Sequence, residues 1–418
     1  MKRSFLFVAL LSVATLVSAQ TMKVQSAYSD MKNGRLLNAK QNIDDACKDE
    51  KTSRESKTWN YAGLIYTQIV QALEDESTDK KTRKELKKLT ETKEQICQAG
   101  MQNFRECLKL EKEANSNEFV KNSVEAMKVL CGYAFKYAGD VYNAGKYEES
   151  AKMFHQVTED ATVAQYKDIQ LEAMFYEADC YRMLSQKDKM LDIYRTLAKE
   201  NSPKAEVYLK IYADNKEKGD TTKAINALKK GVRMTAKDPS TNIVMKSTLA
   251  SAYLWAGQQA EADKMVQELL AGGENDVKTL NSVANIYVDM GNAEKAEELF
   301  NKSLAIDAKQ VDAYRGLGMV YFNKAVDENA AAEKLPPDPE FDAEYNAHKM
   351  ASFEAFEKSV PNFTKVLEVK ADDFNSLKAL KTVYSQLQSY PKFSAEQKAE
   401  CKTKYQEVSA KLNELIQK

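Results

Sequence analysis

The sequence predicts an all-α protein built from stacked antiparallel helix pairs, an architecture called an α-solenoid. Turn-forming residues are scarce: the 418 residues include 14 glycines and 7 prolines, too few for the many tight turns of an all-β fold. A pattern repeats with a period of 34, as Tyr253, Tyr287 and Tyr321 show. The 61 Lys and Arg residues balance 62 Asp and Glu residues, so we expect no nucleic-acid partner.

The first element of the chain is an apolar segment with the features of a secretory signal peptide. Lys2 and Arg3 precede an apolar run, and the small residue Ala19 stands just before Gln20. This order predicts a signal peptide over residues 1–19 and a soluble mature chain that is exported to a periplasm or to the outside of the cell. A short transmembrane anchor is the alternative, but the run is too short to span a bilayer comfortably. We expect no membrane span in the mature chain.

The best copy of the repeat spans residues 277–310. Ala284 and Ala296 are small, so two antiparallel helices can approach each other closely, while Tyr287 fills the space beside them. Gly291 suits the left-handed backbone that ends the first helix. This pattern resembles the tetratricopeptide repeat (TPR) family. The resemblance implies a right-handed superhelix of antiparallel helix pairs, here an exported envelope-type TPR protein.

The repeat can be followed through almost the whole mature chain, residues 20–418. Because a single pair cannot bury its apolar face, the pairs must stack on one another. The last helix is polar and charged, as suits a C-terminal capping helix. The predicted units lie near 20–55, 56–114, 131–170, 171–204, 205–242, 243–276, 277–310, 311–373 and 374–418.

Two units contain inserts. A charged, helix-favouring segment follows Tyr66, and we expect it to extend both helices of its unit into a protruding hairpin. A second insert follows Tyr321, and three prolines within residues 336–339 forbid a continuous helix there. Pro361 is expected near the start of the helix that follows, where it is tolerable.

The TPR resemblance implies that the first helix of each pair lines a concave groove. The positions that would line this groove carry a mixture of aromatic, amide and charged side chains. This mixture suits a protein or peptide partner, although these residues could equally be ordinary exposed helix residues. Asn281 and Asn285 lie one turn apart and could bracket an extended peptide backbone. The candidate groove residues are Phe135, Tyr142, Phe175, Asp179, Arg182, Trp255, Lys278, Asn281, Asn285, Arg315 and Phe322.

The sequence offers no catalytic site. It has two histidines, His155 and His348, and lacks the GxSxG, P-loop, GxGxxG and HExxH motifs, so we expect no catalytic residue, metal or cofactor. The six cysteines are expected to be mostly small buried residues, with a bridge between neighbouring helices as the alternative. The predicted function is an exported, non-enzymatic TPR scaffold that binds a protein or peptide partner in its groove. The alternative is a helical-repeat protein that binds a carbohydrate or small ligand, or an enzyme whose site is built by the inserts.

Overall fold

The computed structural model describes residues 21–273 and 275–417, without the side chain of residue 417. These residues form 19 α-helices and contain no strands, which confirms the predicted all-α fold class. The predicted signal peptide, residues 1–19, lies outside the described residues. Among the helices that are described, none is both long and apolar enough to cross a lipid bilayer.

The described residues divide into two compact units, unit 1 up to residue 202 and unit 2 from residue 203. In the described part of unit 1, short turns join consecutive helices, and a 3-10 turn, Thr52–Arg54, precedes α3. The helices of unit 1 are α1 (21–32), α2 (Leu36–Lys48), α3 (Ser56–Glu74), α4 (Lys80–Leu86), α5 (Lys93–Glu113), α6 (Val120–Asn143), α7 (Tyr147–Val163), α8 (Lys167–Met183) and α9 (Lys187–Lys199).

Unit 2 repeats the same pairing of helices and ends on a long C-terminal helix. A 3-10 turn, Pro339–Phe341, separates its two longest helices. The helices of unit 2 are α10 (Ala205–Glu217), α11 (Thr221–Met234), α12 (Pro239–Trp255), α13 (Gln259–Gly273), α14 (Val277–Asp289), α15 (Ala293–Ile306), α16 (Val311–Lys334), α17 (Asp342–Val369), α18 (Phe374–Leu387) and α19 (Ala395–Gln417).

The ends of the helices follow from local sequence. The side chain of Asn292 accepts a hydrogen bond from the backbone N–H of Lys295 and so caps α15. Gly291, just after α14, has a φ of 71°, which confirms the left-handed conformation predicted for it. Ala284 and Ala296 are fully buried where α14 meets α15, as expected for residues that allow a close helix contact.

The first insert packs against unit 1 and does not form the protruding hairpin that we expected. The Asp75 carboxylate accepts the backbone N–H of Ser77, and the Asp79 carboxylate caps α4. These local hydrogen bonds compete with a continuing helix, so the chain turns after α3. Leu86 of α4 is then buried, and Glu91 forms an ion pair of 2.7 Å with Lys40 of α2.

The second insert lengthens two helices into a hairpin, called the insert hairpin here, that consists of α16 and α17. The helix break predicted from the prolines within 336–339 is present, because α16 ends at Lys334 and α17 begins at Asp342. Pro361 lies deep inside α17, so its predicted place near a helix start was wrong. Helix α17 already begins at Asp342, inside the insert, so Pro361 lies in its interior.

All six cysteines are free thiols. Five of them are buried and Cys47 is half-buried, in agreement with a packing role. Burial raises the pKa of the Cys97 thiol to about 12, so this group stays protonated and unreactive near neutral pH.

Candidate functional site

Helices α6, α7 and α8 of unit 1 bring five aromatic side chains together. We call this group the aromatic cluster: Phe135 and Tyr142 of α6, Phe154 of α7, and Phe175 and Tyr176 of α8. The ring centroid of Tyr176 lies 5.6 Å from Phe135, 6.3 Å from Tyr142 and 5.5 Å from Phe154. Tyr176 is nevertheless 37% exposed. The cluster is therefore a packed platform with one large side chain that faces solvent.

Helical periodicity explains why these side chains meet. Phe135 and Tyr142 are seven residues apart on α6 and so lie on one face of the helix. Helix α7 packs against both α6 and α8, and its Ser150 donates a hydrogen bond of 2.9 Å to the Ala138 carbonyl oxygen. Ser150 and Ala138 are both fully buried. Small residues at this contact let the three helices approach closely enough for their aromatic rings to touch.

A polar group borders the aromatic cluster. The hydroxyl of Tyr142 donates a hydrogen bond to the Asp179 carboxylate, and the Arg182 Nε lies 2.5 Å from the same carboxylate. This hydrogen bond to Asp179, together with burial, raises the pKa of Tyr142 to about 12, so its hydroxyl remains a donor near neutral pH. The Arg182 side chain is partly exposed, and a guanidinium in this position can receive a carbonyl or carboxylate oxygen from a partner.

Five of the eleven candidate groove residues thus lie in or beside the aromatic cluster: Phe135, Tyr142, Phe175, Asp179 and Arg182. Sequence reasoning missed Tyr176, because it considered only fixed positions of each repeat. The signal that could have found it is the pair of adjacent aromatic residues on α8, since neighbouring residues of a helix cannot both point to its buried face.

The other six candidates lie in unit 2, and two of them sit at its surface. Trp255 is exposed, and the ammonium group of Lys216 lies 5.3 Å from its ring centroid. The same ammonium lies 5.7 Å from the ring of Tyr212, so a cation already covers part of both rings. Lys278 donates a hydrogen bond to the hydroxyl of Ser240.

The two asparagines do not present a pair of amides to a partner. Asn281 is only 7% exposed, and α14, which carries it, packs against both α12 and α16. The Asn285 amide donates a hydrogen bond of 2.9 Å to the backbone carbonyl of Asn281. A peptide bracketed by both side chains, as we had expected, is therefore incompatible with this arrangement.

The last two candidates are used for packing within unit 2. Arg315 forms ion pairs of 2.6 Å with Asp312 and 2.8 Å with Asp373, which tie α16 to the start of α18. The Phe322 ring meets Phe356 of α17 edge-on, with centroids 5.6 Å apart. The length of α17, set by the insert, brings Phe356 to this position, and the repeat pattern alone did not reveal it.

Each of the two histidines contacts a glutamate carboxylate: His155 contacts Glu177, and His348 contacts Glu328. The Nδ1 of His155 lies 3.2 Å from the Glu177 carboxylate, and the His155 ring is largely exposed. The Cys180 thiol, three residues after Glu177 on α8, is fully buried, and burial raises its pKa, so it is a poor nucleophile. Among residues 21–273 and 275–417, no group of three or more His, Cys, Asp or Glu side chains could hold a metal ion.

Comparisons with known proteins identify structural neighbours. No protein-family model matches the sequence, and no curated protein matches it. A TPR protein from Parabacteroides merdae is 13% identical, with a TM-score of 0.38 over 66% of this chain and 98% of its own. A TPR repeat-containing protein from Cytophaga hutchinsonii is 16% identical, with a TM-score of 0.36 over 66% and 93%. The human IFIT1 dimer with m7Gppp-AAAA is 15% identical, with a TM-score of 0.40 over 85% and 74%.

Two of these three neighbours are TPR proteins. The likeness concerns the fold alone, because the identities and TM-scores are low.

Proposed function

We propose that this chain is a non-enzymatic helical-repeat scaffold that binds a protein or peptide partner on the aromatic cluster of unit 1. The observation that carries this proposal is the exposure of Tyr176 at the centre of a packed group of aromatic rings. Tyrosine in such a setting offers a large apolar area at little cost in conformational entropy, and tyrosine and arginine dominate binding hot spots.

The polar border of the cluster supports a peptide-like partner in particular. The Arg182 guanidinium is held by the Asp179 carboxylate, which also accepts the hydrogen bond of Tyr142. A positioned guanidinium beside aromatic rings suits a segment that places an apolar side chain on Tyr176 and a backbone carbonyl or carboxylate oxygen on Arg182.

A carbohydrate-binding function has less support. Trp255 is the exposed aromatic residue that would best stack on a sugar ring, but Lys216 lies over its ring. The rings of the aromatic cluster pack on one another edge-on or stacked, and Tyr176 is the exposed ring among them. We therefore favour a protein or peptide partner.

We further propose that the chain is exported. Lys2, Arg3 and the apolar run that ends before Ala19 support cleavage of a signal peptide. Mass spectrometry of the intact protein from its native cells tests this, and we expect a mature chain that begins near Gln20. A protein recovered with its first twenty residues intact would contradict export by this route.

The partner-binding proposal is tested by photo-crosslinking in the native cell. A photoreactive residue replaces Tyr176, and a second protein carries it at Lys152, an exposed residue of α7. We expect a discrete crosslinked species from position 176 and none from position 152. An Arg182→Ala change in the first protein should weaken that species. Equal crosslinking from both positions, or none from either, would refute the aromatic cluster as a binding site.

A further inference from the structure

An open cleft lies beside the insert hairpin in unit 2, and the proposed function does not use it. Its volume is about 770 Å³, within the range of sites that take a small ligand or a few side chains of a partner. The end of α14, the start of α15 and one face of α16 form its walls. The apolar residues that line it are Val288, Met290, Ala293, Val320 and Val326.

The apolar lining reaches the surface at Val326. Val320 is buried at the base of the cleft, whereas Val326, less than two helical turns further along α16, is 44% exposed. Helix α14 ends at Asp289, while α16 continues to Lys334 because of the insert. The outer part of α16 therefore extends beyond the repeat pattern and presents an apolar side chain beside the cleft.

The charged residues that line the cleft are mostly acidic. Glu294, Asp327 and Glu328 face it together with a single base, Lys324. Glu328 accepts a hydrogen bond of 2.7 Å from His348 of α17, if the Nδ1 of His348 carries the proton. Within the described part of the chain, the carboxylates of Glu294 and Asp327 form no ion pair within 4.0 Å. The cleft thus combines apolar lining residues with a net negative charge, which favours a basic partner.

Helix α17 of the insert hairpin binds a segment of its own chain, the connection between α18 and α19. The non-helical residues 388–394 lie there. The Tyr390 ring stacks on Phe353 with centroids 5.1 Å apart, and Lys392 forms an ion pair of 2.7 Å with Glu354. Helix α17 thus holds a short segment that combines an aromatic side chain with a lysine, on residues Phe353 and Glu354 that do not line the cleft.

We propose that the cleft, called the hairpin cleft below, is a second docking site. Its occupant is a segment of a partner protein that carries an aliphatic or aromatic side chain next to a lysine or arginine. The apolar side chain packs on Met290 and Val326, and the cation lies between Glu294 and Asp327. This site is separate from the aromatic cluster, so either proposal can fail without the other.

The test is selection from a phage-displayed library of short random peptides on the immobilised full-length protein. The cleft variant carries Val326→Arg and Asp327→Lys, and a second variant carries Glu294→Lys on the opposite wall. Both change exposed residues, so circular dichroism should show native helix content. The matched control is Glu333→Lys, which adds a positive charge to an exposed position of α16 that does not line the cleft.

We expect enriched peptides that combine Lys or Arg with an aliphatic or aromatic residue. Their binding should fall about tenfold on the cleft variant, which loses an apolar contact and gains like-charge repulsion. It should fall on the Glu294→Lys variant too, and persist on the Glu333→Lys control and on a Tyr176→Ala variant.

Three results would overturn the proposal. They are the absence of enriched peptides, peptides without basic residues, and peptides that bind the two cleft variants as well as the wild type. Peptides whose binding is lost only with Tyr176→Ala belong to the third result, because they bind the aromatic cluster and not the hairpin cleft.

Discussion

Individual glycines decide how closely neighbouring helices approach. Gly63 of α3 faces the Phe104 ring of α5, and a Cβ atom at position 63 would overlap that ring. We expect Gly63→Ala to lower the free energy of unfolding by about 1–3 kcal/mol, because a close-packed contact must open. Urea denaturation followed by circular dichroism measures the change.

Gly132 provides the matched control for this prediction. It lies within α6, in the same unit, and nothing stands within 4 Å of the position its Cβ would take. Gly132→Ala should raise the free energy of unfolding by about 0.5–1 kcal/mol through helix propensity alone. If both substitutions changed stability in the same direction, close packing at Gly63 would not be the cause.

The residues of the repeat could be predicted where the repeat itself determines their surroundings. Ala284, Ala296 and Gly291 lie as expected, because each acts within one helix pair. Asn281 and Phe322 could not be placed, since their environments depend on helices from other pairs and on the length of the insert. Contacts between pairs are long-range in sequence, and periodicity does not encode them.

At the scale of elements, a half-buried carboxylate joins the two ends of the first insert. Glu74, the last residue of α3, receives hydrogen bonds from Lys93 at 2.7 Å, from Tyr137 at 3.0 Å and from Lys136. Burial alone would raise the pKa of Glu74, but these hydrogen bonds outweigh it and lower the pKa to about 2. The contact joins α3 to α5 and α6 where the insert leaves and re-enters the unit.

This lowered pKa implies a definite pH dependence. A carboxyl group with a lower pKa in the folded state stabilises the protein above its ordinary value of 4.5, and the stabilisation is lost as pH falls towards about 2. We expect Glu74→Gln to reduce the free energy of unfolding near pH 7 by about 1–3 kcal/mol, a range that allows for solvent screening of the two lysines. The variant and the wild type should converge as the pH approaches 2.

The control for this prediction is Glu76→Gln, at an exposed position in the same insert. Its stability should follow that of the wild type from pH 7 to low pH, since it removes a charge without removing the contact. A constant difference between Glu74→Gln and the wild type at all pH values would contradict the ionic role of Glu74.

Pro361 interrupts the backbone hydrogen bonds of α17. It is an exposed residue in the interior of α17, where it lacks the N–H that would bond to the Glu357 carbonyl. We expect Pro361→Ala to raise the free energy of unfolding by about 1 kcal/mol or more, because it restores a helical hydrogen bond. A loss of stability in thermal or urea denaturation would instead show that the packing of α17 requires the proline.

Of the two inserts, the helix break in the second could be predicted from the sequence, whereas the fold of the first could not. Three prolines predicted the break between α16 and α17, because proline ends a helix for local reasons. The fold of the first insert was predicted wrongly, since charged, helix-favouring sequence gave no sign that Asp75 would turn the chain or that Leu86 would find a buried site.

At the scale of the whole molecule, the chain consists of two compact helical units, each with its own candidate surface. The aromatic cluster belongs to unit 1 and the hairpin cleft to unit 2. Each surface combines aromatic or aliphatic side chains with charged ones, as suits recognition of a partner. This pattern supports a scaffold that works by binding.

The central claim is that a partner binds on the aromatic cluster of unit 1. Hydrogen–deuterium exchange tests it most directly, with the full chain bound non-covalently to the partner that crosslinking identifies. A partner on the aromatic cluster should slow amide exchange in α6 and α8 beyond the free protein, and the Arg182→Ala variant should lose that protection. Helix α2, which contributes no residue to the aromatic cluster, serves as the internal reference. Unchanged exchange in α6 and α8, or protection confined to α16 and α17, would contradict the assignment of the partner site to unit 1.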